Sequence, residues 1–360
     1  MFLIRADGNA EIGVGHVMRC LSIADALKEK NKEVVFAAAD YNMKTVIESR
    51  GFSCIVLESD YKNMMSDFDN DTFVDIINQS ESIIIDSYYV SDEYFNRIRG
   101  IRKEQQDNTG YKIIYIDDLC EKAHPVDVLI NYNIYADIEK YRSLYSANDN
   151  KSVMTEFVIG SQYIPLRKEF SSISKIRIKE KVTDVLVMTG GADMHHVALN
   201  LIKKLKEVIS GSDSKRIKDI CFRFVIGAMS ADYSSILNEL AGSKNIVLHK
   251  DVKNIWTLMC SCDIAVSAAG TSLYELCACG VPTITYVLAD NQMNGEEAFI
   301  ENKVMLSIGD IRIEEKYCEK IISSVLDLAD DYSLRKQMAD RGASITDGSG
   351  ARKIANLLIR

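Results

Sequence analysis

The sequence predicts an α/β protein of two doubly wound, Rossmann-like domains. Three observations predict it. Short β-branched runs alternate with helical patterns from end to end, the signature of parallel sheets with crossover helices. The alternation restarts near residue 181, and each half carries a glycine-containing loop between a strand and a helix. At 360 residues the chain is too long for one small core and suits two α/β domains of ordinary size.

In the first half, strands are predicted at Phe2–Ala6, Glu33–Ala38, Ser53–Leu57, Ser82–Asp86, Lys112–Asp117 and Val128–Asn131. Helices are predicted between them at His16–Glu29, Asn42–Arg50, Asp71–Gln79 and Asp92–Lys103. The first helix rests on Val17, Cys20, Leu21, Ala24 and Leu27, which recur at three and four residues and give one apolar face. In the second half the strands are Asp184–Met188, Cys221–Ile226, Asn245–Leu248, Asp263–Ser267, Thr283–Leu288 and Val304–Ser307. The predicted helices there are Met194–Ser210, Ser234–Ala241, Val252–Cys260, Ser272–Cys279, Gly295–Asn302 and Glu315–Leu328. The expected division is a first domain over 1–160, a linker over 161–180, a second domain over 181–345, and a terminal helix over 346–360 that packs back on the first domain.

The chain is 47% hydrophobic and 26% charged, as expected of a globular protein, with a formal net charge of -9. That balance argues against nucleic acid or an anionic membrane surface as partner. No stretch reaches the roughly 18 to 20 apolar residues of a membrane span. The N-terminus runs straight into a strand without a basic leader, so a cytoplasmic location is expected. Nine cysteines, odd in number and scattered through apolar segments, suit free thiols. Cys260-Ser261-Cys262 and Cys277-Ala278-Cys279 have the look of paired ligands, but residues two apart on a helix point in different directions. Buried small hydrophobes are the better reading, and no metal is expected.

The first strand leads through Asp7-Gly8-Asn9-Ala10-Glu11-Ile12-Gly13-Val14-Gly15 to His16 at the start of a helix. Gly13 and Gly15 let the backbone approach a ligand closely. The dinucleotide fingerprint would need glycine at 18, where Met18 stands, so NAD is disfavoured. A lone histidine is more often a cap or a buried polar group. Here the positive helix end disfavours the imidazolium, and a neutral ring at the ligand edge of the sheet makes a general base. Arg19, one turn on, is either an ion-pair partner or a ligand contact.

In the second half, Gly270, Thr271 and Ser272 open a helix and offer N–H groups and hydroxyls to a diphosphate. Glu275, one turn in, is placed to accept from ribose hydroxyls, or else is a helix-dipole partner. Asn291 and Gln292 lie just past the next strand. The loops Thr189-Gly190-Gly191-Ala192-Asp193 and Gly227-Ala228-Met229 end two further strands and line the same expected cleft. His195 and His196 read as exposed helix residues, and Trp256 as core rather than a base-stacking platform.

These residues together resemble the GT-B group of nucleotide-sugar enzymes. Within it the chain is similar to the UDP-2,4-diacetamido-2,4,6-trideoxy-β-L-altropyranose hydrolases of pseudaminic acid biosynthesis, relatives of the MurG glycosyltransferase. The resemblance is carried by Arg5-Ala6-Asp7 with Ile12-Gly13-Val14-Gly15-His16-Val17-Met18-Arg19-Cys20-Leu21, and by Ile85-Asp86-Ser87-Tyr88. It continues through Ile116-Asp117-Asp118-Leu119, Gly160 with Tyr163, Leu166-Arg167, Gly190-Gly191 with Asp193, and Asp290-Asn291-Gln292. It implies a GT-B-like fold with two domains facing a cleft, and hydrolysis at the anomeric carbon that releases UDP and free sugar without cofactor or metal. His16 stands at the family's catalytic position. Gly13, Gly15, Arg19, Tyr88, Asn291 and Gln292 fall on the sugar side; Gly190, Gly191, Gly227, Gly270, Thr271, Ser272 and Glu275 fall on the UDP side. The alternatives are a glycosyltransferase in which His16 activates an acceptor hydroxyl, a UDP-sugar epimerase, and a silent UDP-sugar-binding module.

Overall fold

The computed structural model describes residues 1–9, 11–104, 110–147, 154–173, 177–191, 193–211, 216–227 and 230–360. The loop residues Ala10, Ala192, Ala228 and Met229 lie outside the described residues. The chain divides into two compact units. Unit 1 comprises Met1–Lys168 with Ser349–Arg360, and unit 2 comprises Glu169–Gly348. The predicted linker 161–180 is thus shared between the units.

Unit 1 is built on β1 (Phe2–Ala6), α1 (Gly15–Lys28), β2 (Val34–Ala38), α2 (Lys44–Ser49), β3 (Ser53–Val56) and α3 (Asp71–Gln79). It continues with β4 (Ser82–Asp86), α4 (Asp92–Glu104), β5 (Lys112–Ile116), β6 (Val128–Asn131), α5 (Ile138–Ser146) and β7 (Glu156–Ile159). The seven strands form one parallel sheet in the order β3-β2-β1-β4-β5-β6-β7. Its central strands are covered on both faces, which is why β1 and β4 are buried throughout and carry the apolar stretches Phe2-Leu3-Ile4 and Ile83-Ile84-Ile85. Leu3, Ile83, Ile85, Phe73, Phe95 and Tyr115 belong to one core cluster.

The chain order reverses between β1 and β4, so this crevice is the topological switch point, where ligands bind in doubly wound sheets. Register fixes what meets there: Ala6, the last residue of β1, pairs with Asp86, the last of β4. Beneath that crevice the guanidinium of Arg5 is fully buried. Its Nε donates to Asp67 Oδ2 at 2.7 Å and its Nη1 to Asp7 Oδ2 at 2.5 Å. Tyr94 donates to Asp67 Oδ2 at 2.8 Å and Ser59 to Oδ1 at 2.5 Å. Burial works against the Arg5 charge, but Asp7 and Asp67 outweigh it and push its pKa above the ordinary arginine value.

Two elements of unit 1 were not anticipated. β7 is an edge strand with Val158 as its single buried residue, and its apolar run is only Phe157-Val158-Ile159. α5 buries Tyr141 alone. Both are short and bury one side chain each, so their apolar patterns are shorter than those of the central elements.

Unit 2 repeats the plan with β8 (Asp184–Met188), α6 (Val197–Ser210), β9 (Cys221–Ile226), α7 (Tyr233–Leu240), β10 (Ile246–Lys250) and α8 (Ile255–Ser261). There follow β11 (Ile264–Ala268), α9 (Ser272–Cys279), β12 (Thr283–Val287), α10 (Met293–Glu301), β13 (Met305–Asp310), α11 (Tyr317–Asp330) and α12 (Tyr332–Ile345). The sheet is parallel, ordered β10-β9-β8-β11-β12-β13, with its switch between β8 and β11. α6 starts three residues later than predicted, because Asp193 and His196 adopt positive φ of 47° and 55°. His195 and His196 are exposed, as predicted, but they precede the helix. α12 carries Arg335, buried, whose guanidinium donates to the carbonyls of Leu328, Lys179 and Glu180 at 2.7, 2.9 and 2.8 Å. Trp256 is half-buried on α8.

The terminal helix α13 (Gly350–Leu358) belongs to unit 1 and packs on α1. Gly350 also brings α13 against the Tyr163–Ile164 backbone: a Cβ there would lie 2.1 Å from the Ile164 carbonyl oxygen. All nine cysteines are free thiols, with Cys260 Sγ 3.8 Å from Cys279 Sγ. Among the described residues no helix is long and apolar enough to cross a membrane.

Removing one partner from a buried ion pair strands the other charge. Asp67→Ala is therefore expected to cost unit 1 about 3–5 kcal/mol, while Glu239→Ala, which removes a partner from the half-exposed Lys206, changes stability far less. Urea unfolding followed by circular dichroism checks this, with Trp256 fluorescence as a reporter of unit 2 that Asp67→Ala leaves in place.

Candidate active site

The loop from β1 to α1 delivers His16. Asn9 shapes the loop, its Oδ1 accepting from the N–H of Glu11 at 2.9 Å and of Ile12 at 3.0 Å. Gly13 turns it at φ 75°, a conformation that favours glycine. His16 then sits in the first turn of α1, and that helix is locked to the sheet by Val17, Cys20, Leu21, Ala24 and Leu27, all buried. The β1–β4 register brings the end of β4 alongside. As a result the His16 Nδ1 lies 2.6 Å from Asp86 Oδ1.

Both His16 and Asp86 are buried. A carboxylate only accepts, so Nδ1 carries the proton and donates to Asp86, which leaves Nε2 as the ring nitrogen that accepts in the neutral tautomer. Arg19, one turn along α1, donates through Nε and Nη2 to the two Asp86 oxygens. Its Nη1 donates to Asp118 Oδ2 at 2.7 Å and to the Tyr132 hydroxyl. Arg19 Nη2 and His16 Nδ1, both donors, stand 3.0 Å apart, held by the Asp86 oxygen they share. Burial acts to raise the Asp86 pKa, but the Arg19 charge, with help from His16, outweighs it and holds the carboxyl well below the usual carboxylate range.

Tyr88, two residues past β4, sets its ring edge-on to the imidazole, with centroids 4.7 Å apart and planes at 78°. Its hydroxyl donates to Asp118 Oδ2 at 3.1 Å. Burial, then Asp118, pushes the phenol above its ordinary pKa, so it keeps its proton. Asn133 completes the cluster by donating to Asp118 Oδ1 at 3.0 Å.

In unit 2 the second set of predicted residues collects at the β8–β11 switch, where Met188 pairs with Ser267. Gly190 turns at φ 84° after β8. Gly227 has a structural duty: a Cβ on it would fall 2.0 Å from the Gly191 carbonyl oxygen, so the two backbones touch. Asp193 caps α6 by accepting from the N–H of Val197 at 2.9 Å and of Ala198 at 3.0 Å. After β11 the loop reaches Gly270 and Thr271, both exposed, then Ser272 and Glu275, both half-buried on α9. Leu273 and Tyr274 direct their N–H groups back to the carbonyls of Gly270 and Thr271. The N–H groups of Thr271 and Ser272 belong to the first turn, which the helix itself cannot pair. Past β12, Gln292 closes its own turn by accepting from the N–H of Leu288 at 2.9 Å, and Asn291 is exposed.

Sequence reasoning found His16, Arg19 and Tyr88, which the fold brings into one cluster. It assigned no role to Asp86, Asp118, Tyr132 or Asn133. The available signal was position, since all four stand at or just after the carboxyl ends of β4, β5 and β6. What it lacked was the register that makes those ends neighbours.

No protein-family profile matches the chain. It is 22% identical over 356 residues to the spore coat polysaccharide biosynthesis protein SpsG of Bacillus subtilis, covering 99% of this chain and 96% of that protein. It is 26% identical over 214 residues to the UDP-2,4-diacetamido-2,4,6-trideoxy-beta-L-altropyranose hydrolase of Campylobacter jejuni, covering 56% of this chain and 65% of that enzyme. An uncharacterized protein of Methanocaldococcus jannaschii is 25% identical over 304 residues, 81% of this chain, which spans only 56% of that relative's length. Among solved structures, Acinetobacter baumannii MurG superposes with a TM-score of 0.63 at 12% identity over 99% of this chain and 98% of that one. Arabidopsis thaliana UGT89C1 in complex with quercetin gives 0.65 at 9% identity, covering 100% and 99%. The fold is GT-B.

The Asp86 carboxyl has a lower pKa folded than unfolded, where an aspartate lies at about 3.9. Its stabilisation is complete above that value and is lost as pH falls toward the folded one. Asp86→Asn is expected to lower stability at pH 7 and to flatten the decline of unit 1 stability below about pH 4. Urea unfolding of both proteins across pH 2.5–7 (about eight points suffice) reads the difference.

Proposed function

We propose that this protein is an enzyme of surface polysaccharide or nonulosonic acid biosynthesis that hydrolyses a UDP-sugar. The carrying observation is the His16–Asp86 pair at the switch point of unit 1. A neutral imidazole fixed by a carboxylate presents Nε2 as a general base at the ligand edge of the sheet. Water gives its proton to Nε2 as its oxygen bonds to the anomeric carbon. The bond from that carbon to the UDP oxygen breaks, and UDP leaves with the electron pair. Asp86 then steadies the imidazolium, and Arg19 keeps Asp86 ionised while doing so.

UDP is assigned to unit 2, with the N–H groups of Thr271 and Ser272 toward the diphosphate and Glu275 toward ribose. Gly15 and Gly270 support this reading. Neither has a positive φ, and a Cβ on either would meet open space, so nothing inside the chain requires glycine there. Glycine at such points leaves room for a ligand to approach the backbone. Gly190 and Gly191 border the same switch in unit 2. Tyr88 is assigned to the sugar, for which a 2,4-diacetamido-2,4,6-trideoxy hexose is the proposed identity, on the likeness to the Campylobacter jejuni hydrolase. Arg19 and Gln292 act by positioning: Arg19 spends its donors on Asp86, Asp118 and Tyr132, and Gln292 spends its carbonyl on its own turn.

His16→Ala is expected to keep UDP affinity and to lose about 10²–10⁴ in kcat. Calorimetry with UDP and phosphorus NMR of UDP release from a panel of UDP-sugars measure both. Free sugar formed without any acceptor supports hydrolysis. UDP release that requires an added saccharide acceptor overturns it in favour of transfer, and near wild-type turnover by His16→Ala removes the base assignment.

A further inference from the structure

Six exposed large apolar side chains of unit 1 stand at the carboxyl ends of its strands, while Val46, Met154 and Ile359 lie elsewhere. Val14 follows β1, Tyr41 follows β2, Tyr88 and Tyr89 follow β4, Leu119 follows β5, and Tyr135 follows β6, all between 38% and 62% exposed. Three tyrosines on that edge donate their hydroxyls to carboxylates: Tyr41 to Glu58 at 3.1 Å, Tyr61 to Glu11 at 2.5 Å, and Tyr88 to Asp118 at 3.1 Å.

The Tyr61–Glu11 pair is the most developed of these outside the His16 cluster. Tyr61, in the loop after β3, meets Tyr89 edge-to-face, with centroids 5.6 Å apart and planes at 78°. Glu11 stands in the loop that ends at His16, its N–H fixed by Asn9, and its Oε1 accepts from Lys62 Nζ at 2.5 Å. Lys62 is fixed in turn by its own N–H donating to Asp60 Oδ1 at 2.9 Å. Tyr89 directly follows Tyr88, whose ring touches His16. Three loops thus converge on one carboxylate and two phenol rings beside the proposed base.

We propose that Glu11, Tyr61 and Tyr89 form a carbohydrate subsite that grips the hexose on the side away from its anomeric carbon. The inference deepens the nucleotide-sugar reading and rests on it. Phenol rings cover the C–H faces and methyl groups of a pyranose, and an ionised carboxylate has lone pairs for its hydroxyl or acetamido N–H donors. Holding Glu11 between Tyr61 and Lys62 aims those lone pairs before any ligand arrives. An exposed strap with a merely structural duty would affect stability slightly and sugar affinity not at all.

The test measures Kd for UDP and for UDP-N-acetylglucosamine by calorimetry in the full chain carrying His16→Ala, which removes turnover. Glu11→Gln, Tyr61→Leu and Tyr89→Leu are added singly to that background. The ratio of the two affinities isolates the sugar's share. Each substitution is expected to leave UDP within about twofold and to cut that ratio about tenfold, as loss of a charge-assisted hydrogen bond or a ring contact does. A ratio unchanged by all three substitutions overturns the subsite. So does a parent that binds UDP and the UDP-sugar equally, or that binds neither. Phosphorus NMR of the otherwise unaltered protein separates the two readings. Binding that follows the expected pattern without release of free sugar sinks the hydrolase and leaves the subsite standing.

Discussion

The carboxylate of Asp86 is the interaction on which the site depends. It is buried, it accepts from His16 and Arg19 at once, and burial alone would drive it toward the neutral acid. Arg19 reverses that balance by bringing a fixed positive charge onto both oxygens. One ionised carboxylate then decides the imidazole tautomer, the orientation of the ring and the placement of Arg19. The Arg19 fork extends the same constraint to Asp118 and Tyr132, and Asp118 extends it to Tyr88 and Asn133. A hydrogen-bond network of this kind is costly half-made and rigid when complete.

A second buried charge cluster underlies the first. Arg5 sits on β1 next to its last residue, where a fully covered strand would ordinarily hold an aliphatic residue. It is tolerated because Asp67 meets its guanidinium with two oxygens and Asp7 with a third. Asp7 is also the first residue of the loop that leads to His16, and its other oxygen accepts from the N–H of Ala39 after β2 at 2.7 Å. The ends of β1 and β2 and the loop toward the proposed base are therefore fixed by one set of charges. Rigid support beneath a loop is what a positioned base requires.

Unit 2 shows that glycines in similar settings serve different ends. Gly227 is demanded by the fold, since its backbone touches that of Gly191, whereas Gly270 has an ordinary backbone conformation and open space where a side chain would be. Sequence spacing alone treats the two alike. Only the packing around each separates a glycine needed for close strand-end contact from one that leaves a helix N-terminus accessible.

The sequence by itself determined the alternation of strands and helices, the restart at the second unit, the glycine loops and the place of His16 at the head of α1. These are local properties, carried by apolar periodicity and by residues a few positions apart. Edge β7 and helix α5 escaped it because each is short and buries one side chain, leaving only a brief apolar pattern. Tertiary structure decided the rest. His16 and Asp86 are 70 positions apart, and Arg19 and Asp118 are 99 apart. No local pattern joins such residues. The parallel register of β1 against β4, and of β4 against β5, sets those strand ends side by side. That placement sets a carboxylate behind the histidine of a glycine loop.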